Sequence, residues 1–300
     1  MGADRLRATG FTMLVVAMPF AGCGGDEATP PDAEPVPRDP EAVLEETFGG
    51  EGGVAGGFLE AGVEFTLFDG ASTYSQRFAL EGPFELGSGA PSFDLGLTVE
   101  QGDGPAAEAR LASTGEAGFL ELGGVDYEID PAVFERLARS FEAGGDPFDA
   151  LDPSRWFLDA SLEGTAEHGG VETVQVSGPA IMSRLFDDLR ELTGMLGLPA
   201  LGPLGGKNAD ATLDVFSGLG DSVLRRLELT IPVEGELEGG QPFENEITLS
   251  LALGEVNDHP AIEPPAEPRS ITELDYEEVP AELSGLVGFV AGDGPGAPSR

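Results

Sequence analysis

Apolar and polar residues alternate one for one along at least five stretches of this 300-residue chain, and that pattern leaves few folds open. Val63, Phe65 and Leu67 alternate with Glu64, Thr66 and Phe68, and Phe93, Leu95, Leu97 and Val99 with Asp94, Gly96, Thr98 and Glu100. Val125, Tyr127 and Ile129 alternate with acids, as do Leu227, Leu229, Ile231 and Val233 with Glu228, Thr230 and Pro232. Ile247, Leu249, Leu251 and Leu253 close the series. A period of two places one set of side chains on a dry face and the other on a wet face. One-sided alternation is the mark of antiparallel pairing, because parallel strands are buried on both faces. Strands are expected near 63–68, 75–82, 93–101, 106–113, 118–123, 125–130, 160–166, 171–177, 209–217, 223–234 and 243–255. Gly102-Asp103-Gly104 and Gly123-Gly124 supply hairpin turns.

Helical patterns interrupt the strands. Asp39-Pro40 reads as a cap and first helical position, and Gly49-Gly50 as the stop. Asp130-Pro131 opens a second helix, in which Phe134, Leu137, Ala138 and Phe141 share one face up to Gly144-Gly145. A third, from about Pro179 to Met195, lines up Ile181, Met182, Leu185, Phe186, Leu189 and Leu192. A short turn of helix near Pro153–Leu158 carries the sole Trp, Trp156. A flat sheet of this many strands has more dry face than these helices can cover, whereas a twisted sheet can curl around them. The expected fold is therefore α+β: a single strongly curved antiparallel sheet, a half-barrel of about eleven strands, with a few helices on its concave face. Residues 39–268 show no break in composition and are expected to be one domain. Residues 269–300, ending in GDGPGAPSR, are expected to be a loosely packed tail, within which Leu283 to Val290 (LSGLVGFV) can form a short apolar turn.

The N-terminus carries a different signal. Arg5 and Arg7 precede the apolar run Phe11–Phe20, which is too short for a spanning helix of roughly twenty residues and fits a secretory signal. The run ends in Phe20-Ala21-Gly22-Cys23, which resembles the lipobox of bacterial lipoproteins, with Phe20 where Leu is usual. That resemblance implies a signal peptide over 1–22 and lipidation of Cys23 as the first residue of the processed chain. The alternative is an ordinary secretory signal with a stray Cys. Residues 24–38, made of Gly, Pro and acid, read as a tether, so that 23–38 form the lipidated Cys and flexible linker. The expectation is an extracytoplasmic protein anchored to the cell membrane by a lipid chain rather than spanning it.

Charge and cysteine content exclude several functions. Fifteen Lys+Arg against 55 Asp+Glu give a net charge of −40, which excludes a nucleic-acid partner and electrostatic docking on an anionic membrane. A single Cys forms no internal disulfide and no Cys-based zinc site. The chain has no GxSxG, no P-loop and no HExxH. His168 reads as a solvated turn residue, as does His259. Asp146, Asp149 and Asp152 lack the EF-hand spacing and read as solvated or capping acids. No catalytic residue, metal site or cofactor is expected, and the protein is read as not an enzyme.

Several strings resemble a known group. Gly170-Val171-Glu172-Thr173, then Val176-Ser177-Gly178, then Phe186-Asp187-Asp188-Leu189, are similar to the second half of actinobacterial LppX/LprG-type lipoproteins. Asp214-Val215-Phe216 followed by Leu224-Arg225-Arg226-Leu227 is similar too, as is Asp152-Pro153 to Trp156. The resemblance spans about 40–270. It implies the half-barrel of LolA and LolB and a cavity between sheet and helices for a lipid or glycolipid. The cavity wall is then expected from Phe65, Leu67, Phe93, Leu95, Leu97, Val99, Phe134, Leu137, Phe141, Leu185, Phe186, Leu189, Leu229, Ile231, Leu249 and Leu251. The residues alone allow an alternative in which the same faces pack solid, giving a surface-anchored structural or protein-interaction domain. The uncharged loop 194–206 is either a lid over the cavity or packing at the core edge.

Overall fold

The computed structural model describes residues 39–49, 54–68, 73–86, 90–102, 104–144, 152–185, 187–188, 210–236, 242–258 and 261–291. The expected signal peptide, Cys23, the tether and the loop 194–206 lie outside them.

Helix α1 (Pro40–Phe48) begins where its cap chemistry dictates. The Asp39 carboxylate accepts from the Glu41 N–H at 3.2 Å, Pro40 follows, and Gly49 ends the helix. Six strands run in sequence: β1 (Gly56–Phe68), β2 (Thr73–Glu85), β3 (Ser92–Gln101), β4 (Ala107–Thr114), β5 (Gly118–Leu122) and β6 (Val125–Glu128). Helix α2 (Pro131–Gly144) follows, started by Asp130 accepting from the Ala132 N–H at 2.8 Å. A 3-10 turn (Pro153–Arg155) leads into β7 (Ser161–His168), β8 (Val171–Pro179), β9 (Thr212–Gly218), β10 (Leu224–Glu236) and β11 (Pro242–Gly254). The two-residue β12 (Arg269–Ser270) precedes α3 (Ser284–Val290). The eleven expected strands are all present.

All twelve strands belong to one sheet, in the order β12-β6-β5-β4-β3-β2-β1-β11-β10-β9-β8-β7. Neighbours in each of the two runs β1–β6 and β7–β11 pair antiparallel, with β8 and β9 separated in sequence by residues 180–211, and the runs join where β1 pairs β11, from Phe58 opposite Gly254 to Phe68 opposite Glu244. The chain therefore passes from one edge of the sheet at β6 to the far edge at β7. The segment that makes this passage carries α2, the 3-10 turn and Trp156. The twelfth strand pairs with β6 in parallel, through Arg269–Tyr127 and Ser270–Glu128, which makes the sheet mixed.

Curvature follows from which residues meet. Leu97 on β3 and Leu224 on β10 line one cavity. Four strand spacings separate them in the sheet, about 19 Å if it were flat. Close packing of β2 on β3 is part of this shape. Gly82 has φ +149°, and a Cβ there would lie 2.0 Å from the Asp94 carbonyl oxygen, so no other residue fits without moving the backbone. On the outer face Arg110 of β4 links its neighbours, pairing with Asp94 of β3 and with Glu121 of β5 at 3.4 Å. The carboxylates beside the guanidinium raise its pKa further.

The inner face divides into two apolar clusters. One joins α1 (Val43, Leu44), Trp156, Phe157 and Leu185 to Val174, Val176, Leu213, Val215, Leu229, Ile231 and Ile247. The other joins Val99, Leu120, Tyr127, Ile129 and Val133 to Ile271, Leu283, Val287 and Val290. The second cluster corrects the expectation of a loose tail from residue 269. Residues 271–290 insert four side chains that are almost wholly buried, and α3 with the turn before it covers the dry face of β3–β6. Pro280, the one proline between Ile271 and Val290, stands directly before the turn that carries Leu283 and interrupts none of these contacts. Leu283, 1% exposed, is expected to cost about 2–5 kcal/mol on truncation to Ala, read from urea unfolding. A loose tail would give no measurable change.

Candidate ligand cavity

Two rows of register partners form the floor of a cavity. The first runs Leu227–Leu251–Ala61–Leu80–Leu97 across β10, β11, β1, β2 and β3. The second runs Leu229–Leu249–Val63–Phe78 and continues to Val99, which lies beyond the cavity. Side chains two apart on a strand share a face, so both rows point inward. In the first row Ala61 stands between larger neighbours, and its methyl leaves the space that a Leu would fill.

The roof is built from α1 and from the segment crossing between the sheet edges. Phe48, the last residue of α1, meets Trp156 edge to face, with ring centroids 5.8 Å apart. Trp156 is fixed on both sides of its backbone and at its indole. Its carbonyl accepts from the Ile181 N–H at 2.6 Å. Its Nε1–H donates to Asp188 Oδ2 at 2.7 Å, and the same oxygen accepts from the Asp152 N–H at 3.1 Å. Leu185 and Leu224 complete the lining, and the cavity stays open on one side.

The space so bounded is about 320 Å³, within the range of about 300–1,000 Å³ usual for ligand pockets. Every side chain pointing into it is a hydrocarbon or the Trp ring. Gly62, Ala79 and Ser250 alternate with the inward residues and border the cavity with their backbone. The Ser250 hydroxyl lies on the other face, 3.0 Å from where a Cβ of Gly62 would be. Phe78 and Leu97 belong to the second apolar cluster, while Val63, Leu227, Leu249 and Leu251 belong to the first, so the cavity lies where the two clusters meet.

The residues expected on the wall are divided by this geometry. Leu97, Leu185, Leu229, Leu249 and Leu251 line the cavity. Val99 does not: at 2% exposure it is packed solid with Leu120 and Val287. Phe65 and Ile231 lie one row further along and fill the first cluster, with Phe65 edge-on to Phe78 at 6.4 Å. Phe93 packs at the edge of that cluster and Leu95 is buried beside Leu111. The Phe134 ring lies over Gly118, where a Cβ would be 2.9 Å from it, so α2 packs on β5 away from the cavity. Leu67, Leu137 and Phe141 have described backbone in β1 and α2, but their side chains lie outside the described residues, as do Phe186 and Leu189 entirely. Sequence reasoning passed over Phe48, Phe78, Leu80 and Trp156. Phe78 and Leu80 alternate on β2 and were readable by the same rule that found Leu97. Phe48 and Trp156 meet through a contact between segments more than a hundred residues apart, for which the sequence holds no local sign.

His168 is half-exposed at the end of β7, directly before the Gly169-Gly170 turn. It ends β7 with its ring 4.3 Å from that of Phe216, and its Nε2 is buried without a partner. Desolvation lowers its pKa, Arg226 lowers it further, and Glu228 opposes both weakly. Asp152 accepts from the Ser154 hydroxyl at 2.6 Å and pairs with Arg155, while Asp146 and Asp149 lie outside the described residues. Among the described residues no group of acids, His and Cys is arranged to hold a metal ion.

No protein-family model and no curated protein sequence matches the chain. Among solved structures it is similar to LprF from Mycobacterium bovis, at 15% identity and TM-score 0.38, covering 70% of this chain and 90% of that one. It is also similar to the lipoprotein LppX of Mycobacterium tuberculosis, at 12% identity and TM-score 0.37, covering 75% and 98%. A putative outer membrane lipoprotein-sorting protein domain from Vibrio parahaemolyticus is similar at 9% identity and TM-score 0.21, covering 72% and 93%. LppX is one of the lipoproteins that the sequence strings resemble.

The His168 environment sets a pH dependence. Its folded pKa is below the ordinary value of about 6.5, so the unfolded chain binds the proton first on acidification. Stability contributed by the neutral ring is present above about pH 7 and is lost as pH falls through 6.5 toward the folded pKa. Urea unfolding between about pH 7.5 and pH 5.5 should show this loss in the wild type and a smaller one in His168→Gln.

Proposed function

We propose that this chain is an extracytoplasmic lipoprotein, held to the membrane by a lipidated Cys23, that binds a lipid or other apolar ligand in the cavity between sheet and helices. The observation that carries the reading is a cavity of about 320 Å³ into which no polar side chain points. Burial of hydrocarbon supplies the binding, at about 25 cal/mol per Å² before ordering costs. No bond is made or broken, and no cofactor is required. A carrier or presenting role for a lipid or glycolipid follows from reversible burial of this kind. The anchor is supported by the position of the sole Cys directly after a short apolar run. No helix among the described residues is long and apolar enough to cross a membrane.

The cavity wall provides its own probe, because Trp156 is the only Trp in the chain. Protein extracted in mild detergent is expected to carry co-purified lipid by native mass spectrometry. After delipidation, a brominated acyl chain should quench Trp156 emission. Cys23→Ser should lose partition into the detergent phase while the quenching persists. Absence of both bound lipid and quenching would leave a filled core and a structural or protein-interaction domain. Retention of Cys23→Ser in the detergent phase after processing would remove the lipid anchor.

A further inference from the structure

We propose that the occupant of this cavity is a single-chain amphiphile, one hydrocarbon tail of about a dozen carbons with its polar end left outside, and not a lipid with two or three chains. The inference rests on the ligand-binding reading above and narrows its substrate class. The first argument is volume. A dry cavity of about 150 Å³ holds a benzene ring, roughly 25 Å³ for each carbon. The space beside Ala61 is about 320 Å³, which on that scale takes about a dozen carbons in one tail.

Among the described residues, the two clusters that flank the cavity leave no room for a second tail. On one side Leu213, Val215 and Val176 are fully buried in the first cluster. On the other Val99, Leu120 and Val287 are packed to 2% exposure or less. A second tail would have to displace side chains from a cluster already closed, which overpacking penalises.

Chemistry places the head group. An ester, phosphate or carboxylate drawn inside would lose its water and find no donor, because the Ser250 hydroxyl faces the other side of the sheet. The Trp156 indole N–H is already committed to Asp188. The polar end therefore stays at the opening, and the cavity selects by tail number and length.

The test holds the head group constant. Purified full-length protein, stripped of lipid, is titrated with lysophosphatidylcholines having one saturated tail of about 8 to 18 carbons and with the matching two-tail phosphatidylcholines, below their aggregation thresholds, with Trp156 emission as readout. Affinity for the one-tail series should rise about fourfold for each added methylene, then level off near a dozen carbons. One molecule should bind per protein, and each two-tail lipid should bind at least about tenfold more weakly than its one-tail counterpart. Ala61→Phe should move the break to shorter tails, Ala61→Val by less, and Leu97→Ala should move it to longer ones. Equal affinity for one- and two-tail lipids, or a rise that continues unbroken to the longest tail, overturns the single-tail assignment and leaves lipid binding standing. Failure of every lipid to bind overturns both.

Discussion

The pairing of β1 with β11 is the contact on which the rest of this structure depends. Each of the two runs pairs antiparallel within itself, and α1, which precedes the first run, packs on β8 and β9 of the second. Eleven register pairs between Phe58–Phe68 and Glu244–Gly254 join them into one sheet and bring Val63 and Ala61 beside Leu249 and Leu251. These partners are nearly two hundred residues apart in sequence, so the loop-closure cost is high and the reward arrives only when both runs exist. The same joint places the midpoint of the sheet under the cavity. A slip of one residue there would put Val63 on the opposite face from Leu249 and Leu229 and break the floor.

The cavity is a consequence of how the curled sheet is filled. One end is closed by α1, Trp156 and Leu185, the other by Ile271, Leu283 and α3, and the two sets of side chains do not meet. Between them Ala61 is a small residue in a row of leucines, and the Trp156 indole is held away from the floor by Asp188. The space is therefore open on one side, fixed by packed elements on two others, and lined among the described residues by apolar side chains.

Most of the sheet was legible in the sequence, because a sheet with one dry face records itself as alternation. Runs such as Phe93–Val99 and Leu227–Val233 could have no other period. The caps at Asp39 and Asp130 were legible for a similar reason, each being a local hydrogen bond at a fixed offset. What alternation cannot state is distance along the inner face. Val99 and Leu97 obey the same rule, yet one is sealed under α3 and the other lines the cavity. The C-terminal cover was hidden differently. Leu283, Val287 and Val290 fall at i, i+4 and i+7 in LSGLVGFV, but that window is short and interrupted by glycine, Ile271 stands alone twelve residues before it, and β12 holds only two residues, paired through backbone alone. His168 shows the limit for single residues, since its packing against Phe216 depends on the register of β7 through β9.

The central claim is that the space between the two clusters is real and empty of protein. Crystals of the delipidated protein pressurised with xenon test it directly, because xenon enters dry apolar cavities of this size. The structure predicts xenon density among Ala61, Leu97, Trp156 and Leu229, with the surrounding side chains unmoved. Side-chain density filling that space, with no xenon bound there, would contradict the account.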